Sequence, residues 1–316
     1  MSGLNIGLID VDGHNFPNLA LMKISAWHKA QGDAVSLGIG VQRKLKSGKL
    51  IFDGLRGDYI PAAQYDVVYV SKVFDRTYSA DLSFTPRADR VEYQGTGYTL
   101  KGTLPAEIEH ACPDYSLYGE KSAYGFLTRG CPRGCKFCIV AEKEGRKSVQ
   151  VAEVSEWWNG QKEIKLLDPN TLACRDHMKL LKQLSHTGAW VDFTQGVDAR
   201  MLTDENILAL NAVKTKMIHF AWDLMPQSEA VLKGLSLYKA HGKLDERLTR
   251  VYVLVNFDTT MEENLYRIYH LRELGFDPYV MIYDKPHAKK EIKDLQRWVN
   301  NKRIWRSCER FEDYRA

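Results

Sequence analysis

Three cysteines, Cys131, Cys135 and Cys138, fall within eight consecutive residues of the stretch "YGFLTRGCPRGCKFCIV". Thiolates at such spacing bind metals. Structural zinc asks for four protein ligands, commonly two close pairs, and a fully ligated [4Fe–4S] cluster asks for four cysteines. Three thiols leave one metal position free, which suits a site where a small molecule binds the open metal. A closed zinc or structural cluster site would need a fourth ligand from Cys112, Cys174, Cys308 or a histidine. Gly130 and Gly134 permit a tight loop. Phe137, next to the third cysteine, can shield a metal group or pack on a bound ring.

The elements that must carry this loop alternate in type. "LNIGLID" reads as a short apolar strand, and "NLALMKISAWHKAQ" has helical spacing at Leu21, Ile24 and Trp27, with Asn18 as cap and Gly32 as stop. "AVSLGI" and "YDVVYVSKVF" follow as buried strands, and "RVEYQGTGYTL" ends in a glycine turn. Strands alternating with helices imply a parallel sheet of Rossmann type. From "YGFLT" onward the rhythm resumes with "EIKLLD", "WVDFTQG", "KMIHFAWD", "RVYVLVNF" and "PYVMIYD". Six strand–helix units are too many for a small Rossmann domain and too few for a closed eight-fold barrel. The expected fold class is α/β: an N-terminal Rossmann-like domain followed by a partial (β/α)6 TIM-type barrel. The expected boundaries are 1–115, 116–284 and a basic, aromatic C-terminal extension over 285–316.

The 316 residues are 44% apolar and 27% charged, an ordinary globular composition. No signal peptide is read, and no apolar run approaches the roughly 18 residues of a membrane span. The expected location is the cytoplasm, where thiols stay reduced and clustered cysteines point to metal or redox chemistry. The net charge of +4 is unevenly placed: from Lys285 onward ten Lys/Arg face five Asp/Glu. With Trp298, Trp305, Phe311 and Tyr314 interleaved, this tail reads either as a polyanion contact or as an amphipathic helix with its aromatics in the core.

"TRGCPRGCKFCIV" resembles the signature of the radical S-adenosylmethionine (SAM) superfamily, a CxxxCx(aromatic)C motif after the first strand of a partial barrel. The resemblance implies a [4Fe–4S] cluster on Cys131, Cys135 and Cys138 whose open iron chelates the methionine moiety of SAM. An electron from the cluster then cleaves the sulfonium, and an adenosyl radical takes hydrogen from substrate. Where many members carry Gly-Gly-Glu, this chain has "LLDPN", with Asp168 or Asn170 as the contact to the methionine ammonium. "TQGVDAR" offers Gln195 and Asp198 for ribose hydroxyls and Arg200 for the methionine carboxylate. Asp223 in "HFAWD" is a further ribose or substrate candidate. Asn256 in "VLVNFDTTMEE" stands where the adenine-bearing segment commonly has glycine.

The resemblance extends over both domains, to compact bacterial radical enzymes of undefined substrate. In several branches the first domain binds cobalamin, and Asp12-Gly13-His14 begins an Asp-x-His-x-x-Gly pattern that Pro17 breaks. Cobalamin-dependent methyl transfer or rearrangement is thus one alternative. A nucleic-acid-binding metalloprotein using the basic tail, with zinc in the thiol loop, is another, and an RNA-modifying radical enzyme is a hybrid of the two. The expected partners are a small-molecule substrate, or RNA on the hybrid reading, and an electron donor such as flavodoxin or ferredoxin, with no membrane. Cys174 is the candidate hydrogen-atom donor, against the alternative of an inert buried thiol.

Overall fold

The computed structural model describes residues 3–315 and divides into two compact units: Met1–Tyr124 with Ser155–Asn159, and Gly125–Val154 with Gly160–Ala316.

The first unit is a five-stranded sheet of β1 (Asn5–Asp10), β2 (Ala34–Lys44), β3 (Leu50–Gly57), β4 (Tyr65–Ser71) and β5 (Ala88–Gln94), in the order β3-β2-β1-β4-β5. β1 pairs parallel to β2 and β4, and β4 parallel to β5, while β3 returns antiparallel on β2. Helix α1 (Leu19–Ala30) starts at Asn18, whose side chain accepts from the Leu21 backbone, as the sequence predicts. It buries Leu21 and Ile24 against Ile6, Leu8 and Leu37. A short helix, α2 (Ala106–Glu109), packs beside it. The β2–β3 hairpin is the departure from the expected strand–helix rhythm. Residues 45–49, "LKSGK", close it with a turn at Gly48 (φ 87°), and a bulge lies between Val41 and Gln42.

β6 (Ala123–Gly125) runs across the boundary into the second unit, where the two-residue strands β7 (Thr128–Arg129) and β8 (Val149–Gln150) pair antiparallel around the short helix α3 (Val140–Lys143). Then come β9 (Glu163–Leu166), α4 (His177–Thr187), β10 (Trp190–Phe193), α5 (Asp204–Ala212), β11 (Thr215–Ala221), α6 (Ser228–His241), β12 (Thr249–Val255), α7 (Met261–Glu273), β13 (Asp277–Ile282), α8 (Lys290–Asn300) and α9 (Lys302–Ser307). The sheet order is β13-β12-β11-β10-β9-β6, so each strand lies beside its predecessor, and β6 and β13 are the two edges of an open sheet. All four pairings from β9 to β13 are parallel.

Burial alternates along these strands. Ile164 and Leu166, Val191 and Phe193, Ile218 and Phe220, and Val251 and Val253 are all at most 3% exposed. Their neighbours Lys165, Asp192, Arg250 and Tyr252 are only half-buried. A parallel sheet covered on both faces reads as continuous apolar runs; here one face is apolar and the other carries charge. Helices α5 and α7 open with capping boxes, Thr203 with Asn206 and Thr260 with Glu263. In α8 and α9, Trp298 and Trp305 are buried, and the Arg272 guanidinium lies 3.8 Å over the Trp305 ring. The two tail tryptophans are therefore core residues, while Phe311 and Tyr314 are half-buried. Among the described residues no helix is long and apolar enough to cross a membrane.

Candidate active site at the cysteine loop

The β7–β8 ladder closes the base of a hairpin whose tip holds the three thiols. Gly130 (φ 84°) and Gly134 (φ 58°) are both left-handed, where a side chain is strained. A Cβ at Gly130 would stand 2.2 Å from the Lys147 carbonyl oxygen, and one at Gly134 would stand 2.3 Å from Arg146 Nη1. The Cys131 amide donates to Gly145 O at 3.1 Å and the Cys138 amide to Cys135 O at 3.0 Å. Glu144 anchors the entry, accepting from Arg129 Nη1 at 2.8 Å and from the Gly130 amide at 3.2 Å.

Cys131 and Cys135 are half-buried and Cys138 is exposed, all as free thiols. Burial raises the Cys135 thiol; Asp223, Cys138 and Cys131 add to the rise and Arg200 opposes it. Four residues singled out in the sequence thus share one electrostatic neighbourhood with that sulfur. Among the described residues no three His, Cys, Asp or Glu side chains are grouped to hold one metal ion.

Asn170 ties the loop to the next strand end. Its Nδ2 lies 3.6 Å from Cys131 Sγ and 3.2 Å from Asp198 Oδ2, while its Oδ1 is buried and accepts from no described residue. An unmade buried acceptor costs about 1–3 kcal/mol, so a ligand donor is the natural complement. Asp198 collects cations: Arg200 Nε at 2.7 Å and Nη2 at 3.0 Å in a two-point fork, and Arg133 Nε at 2.6 Å. Burial alone would raise the Asp198 carboxyl, but Arg200 and Arg133 outweigh it and hold it below the usual range. The fork expected of Arg200 toward a carboxylate exists, and its partner is a residue of the chain.

Asp168 is used differently from Asn170. Its oxygens accept from the Leu127 amide at 2.7 Å, Thr128 Oγ1 at 2.7 Å and Thr171 Oγ1 at 3.2 Å, and it is 3% exposed. Burial pushes its carboxyl up to about 6 against those hydrogen bonds. It pins the strand that leads into the cysteine loop. Cys174 is 3% exposed in the turn beyond. Gln195 is exposed after β10.

The ends of β11 and β12 depend on a residue that the sequence reading passes over. Arg267 on α7 is fully buried, donating to the carbonyls of Trp222 at 2.7 Å, Asp223 at 2.6 Å and Leu254 at 2.9 Å, and to Asn264 Oδ1 at 2.6 Å. It fixes the backbone of Asp223, whose carboxyl burial raises to about 6. In "MEENLYRIYHLRE" an arginine looks like a solvent residue; the available signal was its apolar i+1 and i+4 neighbours, Ile268 and Leu271.

Beyond β12 and β13, Asn256 (φ 65°), Asp258 (φ 52°) and Asp284 (φ 50°) are left-handed without being glycine. Asn256 Nδ2 donates to Tyr283 O at 2.8 Å. Phe137 of the cysteine loop meets Phe257 edge-on at 5.4 Å between centroids, and Phe257 meets Tyr283 at 4.9 Å. An aromatic chain therefore runs from the thiols to the far edge of the sheet.

In the first unit Asp12 accepts from the Val73 and Phe74 amides. His14 packs against Phe16 and Phe74, its Nε2 enclosed and unpartnered. The glycine turn after β5 is bonded to Lys72, whose buried side chain pairs with Asp81 at 2.5 Å. As placed, His14 offers no open nitrogen to a corrinoid metal, because its Nε2 is enclosed beside the Phe16 and Phe74 rings.

Two α/β units with largely parallel sheets, the second carrying a cysteine loop behind its first strands, define the class of fold. Its architecture is similar to the solved structure of TsrM, a radical SAM methyltransferase from Kitasatospora setae with tryptophan substrate and the SAM analogue aza-SAM bound. The TM-score is 0.61 at 12% sequence identity, over 89% of this chain and 73% of that one. No protein-family model and no curated protein sequence matches the chain.

Proposed function

We propose that the chain is a radical SAM enzyme whose second unit is a partial barrel with its active site at the cysteine loop. The observation that carries the reading is the gathering of Asn170, Asp198, Arg200 and Asp223 around free thiols spaced CxxxCxxC. The residues fit the cofactors: three thiols without disulfide partners, and an orphaned amide oxygen beside them. Cys131, Cys135 and Cys138 would hold a [4Fe–4S] cluster, which when bound supplies the electron that cleaves the sulfonium of SAM.

The remaining work falls to this chain's side chains. Asn170 Oδ1 would accept from the methionine ammonium. Arg200 and Arg133, already charge-balanced by Asp198, would meet the methionine carboxylate. Asp223 and Gln195 would take ribose hydroxyls, and the turn at Asn256 and Phe257 would bear the adenine. Phe137 would keep water from the thiols.

A second reading is methyl transfer, favoured by the methyltransferase of similar fold. A corrinoid in the first unit would bind without His14 as its ligand, since that Nε2 is enclosed. Anaerobic reconstitution followed by reduction with SAM separates the readings. 5′-Deoxyadenosine as the product supports hydrogen abstraction, and S-adenosylhomocysteine with a methylated product supports methyl transfer. Neither product, with iron and sulfide absent, would overturn both.

A further inference from the structure

The charged face of the second sheet holds a group of side chains that the cysteine site leaves unused. Lys165 on β9, Asp192 on β10, His219 on β11 and Tyr252 on β12 lie in a row across four neighbouring strands. Neither oxygen of Asp192 accepts a hydrogen bond from any described residue, and its Oδ1 is enclosed. Lys165 Nζ stands 3.8 Å from Oδ2, and His219 Nδ1 stands 3.8 Å from Oδ1, both beyond hydrogen-bond reach.

His219 is held in one orientation. Its Nδ1 lies 3.0 Å from Phe193 O, which can only accept, so Nδ1 carries the proton and Nε2 presents a lone pair. No described residue donates to that lone pair. The ring stacks on Tyr252 at 4.9 Å and 9° between planes, and the Tyr252 hydroxyl donates to Thr194 O at 3.1 Å. Asp192 Oδ1 therefore faces the protonated side of a fixed imidazole without a hydrogen bond, and the lone pair of His219 Nε2 lies on the same face of the sheet. The cations on this face are Lys165, with a third of its side chain exposed, and Arg250, which is paired with Asp277.

We infer that this face binds the ammonium group of a small-molecule substrate, with Asp192 accepting its N–H bonds and His219 Nε2 offering a further acceptor on the same face. An ammonium brings three donors and a positive charge to a half-buried carboxylate. A hydroxyl could not replace the charge of Lys165 beside Asp192, and an anion would be repelled by the carboxylate. Lys165 holds the place loosely with the same chemical group, and the substrate ammonium displaces it. The inference rests on the radical-enzyme reading only in calling the ligand a substrate.

Isothermal titration calorimetry on the reconstituted full chain tests this with butylammonium chloride as probe and sodium butyrate as the matched anion. Butylammonium should bind one site, at least tenfold more weakly in Asp192→Asn and severalfold more tightly in Lys165→Ala, while butyrate should not bind. Equal affinity in Asp192→Asn, weaker binding in Lys165→Ala or preferential binding of butyrate would each overturn the proposal. If Asp192→Asn does not fold, Lys165→Ala decides alone, because a structural role predicts no gain. Amine binding retained without SAM cleavage would sink the radical reading and leave this site standing; cleavage without amine binding would do the reverse.

Discussion

Arg200 and Asp198 form a two-point ion pair across one turn of 3-10 helix, Nε to Oδ1 at 2.7 Å and Nη2 to Oδ2 at 3.0 Å. The Asp198 side chain is 6% exposed and also holds Arg133. Such charge-assisted bonds contribute about 1.5–3 kcal/mol each. Asp198→Ala would leave two guanidinium groups unbalanced beside the thiols. The expected result is a loss of SAM affinity of tenfold or more, read by equilibrium dialysis, and a stability loss of about 2 kcal/mol in denaturant melts. Arg200→Lys, which keeps the charge but not the fork, should also bind SAM more weakly.

Replacing Cys131, Cys135 or Cys138 singly by alanine should abolish iron and sulfide retention after reconstitution, measured by metal analysis and visible absorbance. Cys112→Ala and Cys308→Ala should retain both. A cluster that survives loss of one motif cysteine but not of Cys174 would reassign the ligand set.

Asp168 makes stability fall as pH rises through a definite window. Its folded pKa, about 6, lies above the ordinary 3.8, so the folded protein favours the protonated form. Its contribution is most favourable below pH 4 and is lost progressively up to pH 6. The spread of about two pH units corresponds to roughly 3 kcal/mol. Asp168→Asn removes this titration, so the variant should be most destabilised relative to the parent near pH 4, with the gap narrowing toward pH 7. Parallel stability curves for the two proteins would refute the burial argument.

Arg267→Met would remove the donor shared by three strand-end carbonyls and leave them buried without partners. A destabilisation of about 3–5 kcal/mol is expected from chemical denaturation. Asn256→Ala should cost about 1 kcal/mol through its left-handed backbone, whereas Asn256→Gly should be near neutral.

Much of this architecture could be read from residue patterns, because strands and helices announce themselves through apolar spacing and caps. Asn18 and Thr260 act where a start signal is expected. The β2–β3 hairpin escaped notice because "VQRKLKSGKLIFDG" is polar on one face and rich in lysine, though Ser47-Gly48 marks its turn. The cysteine trio stands out by spacing alone. Its surroundings do not, since whether Asp168 or Asn170 faces Cys131 depends on a turn that rotates one inward to Thr128 and the other toward the thiol. The pairing of Arg200 with Asp198, two residues away, likewise exists only once the 3-10 turn is formed.

The contact of Phe137 with Phe257, and of Phe257 with Tyr283, gives the cysteine loop a remote reporter. The Tyr283 amide is bonded to Val255 O at 3.0 Å on the outermost pair of strands. A cofactor held by the thiols should tighten that aromatic stack, and so slow solvent exchange at an amide on the opposite border of the sheet. Occupancy of the thiols would then be legible in the isotope uptake of a peptide containing none of them.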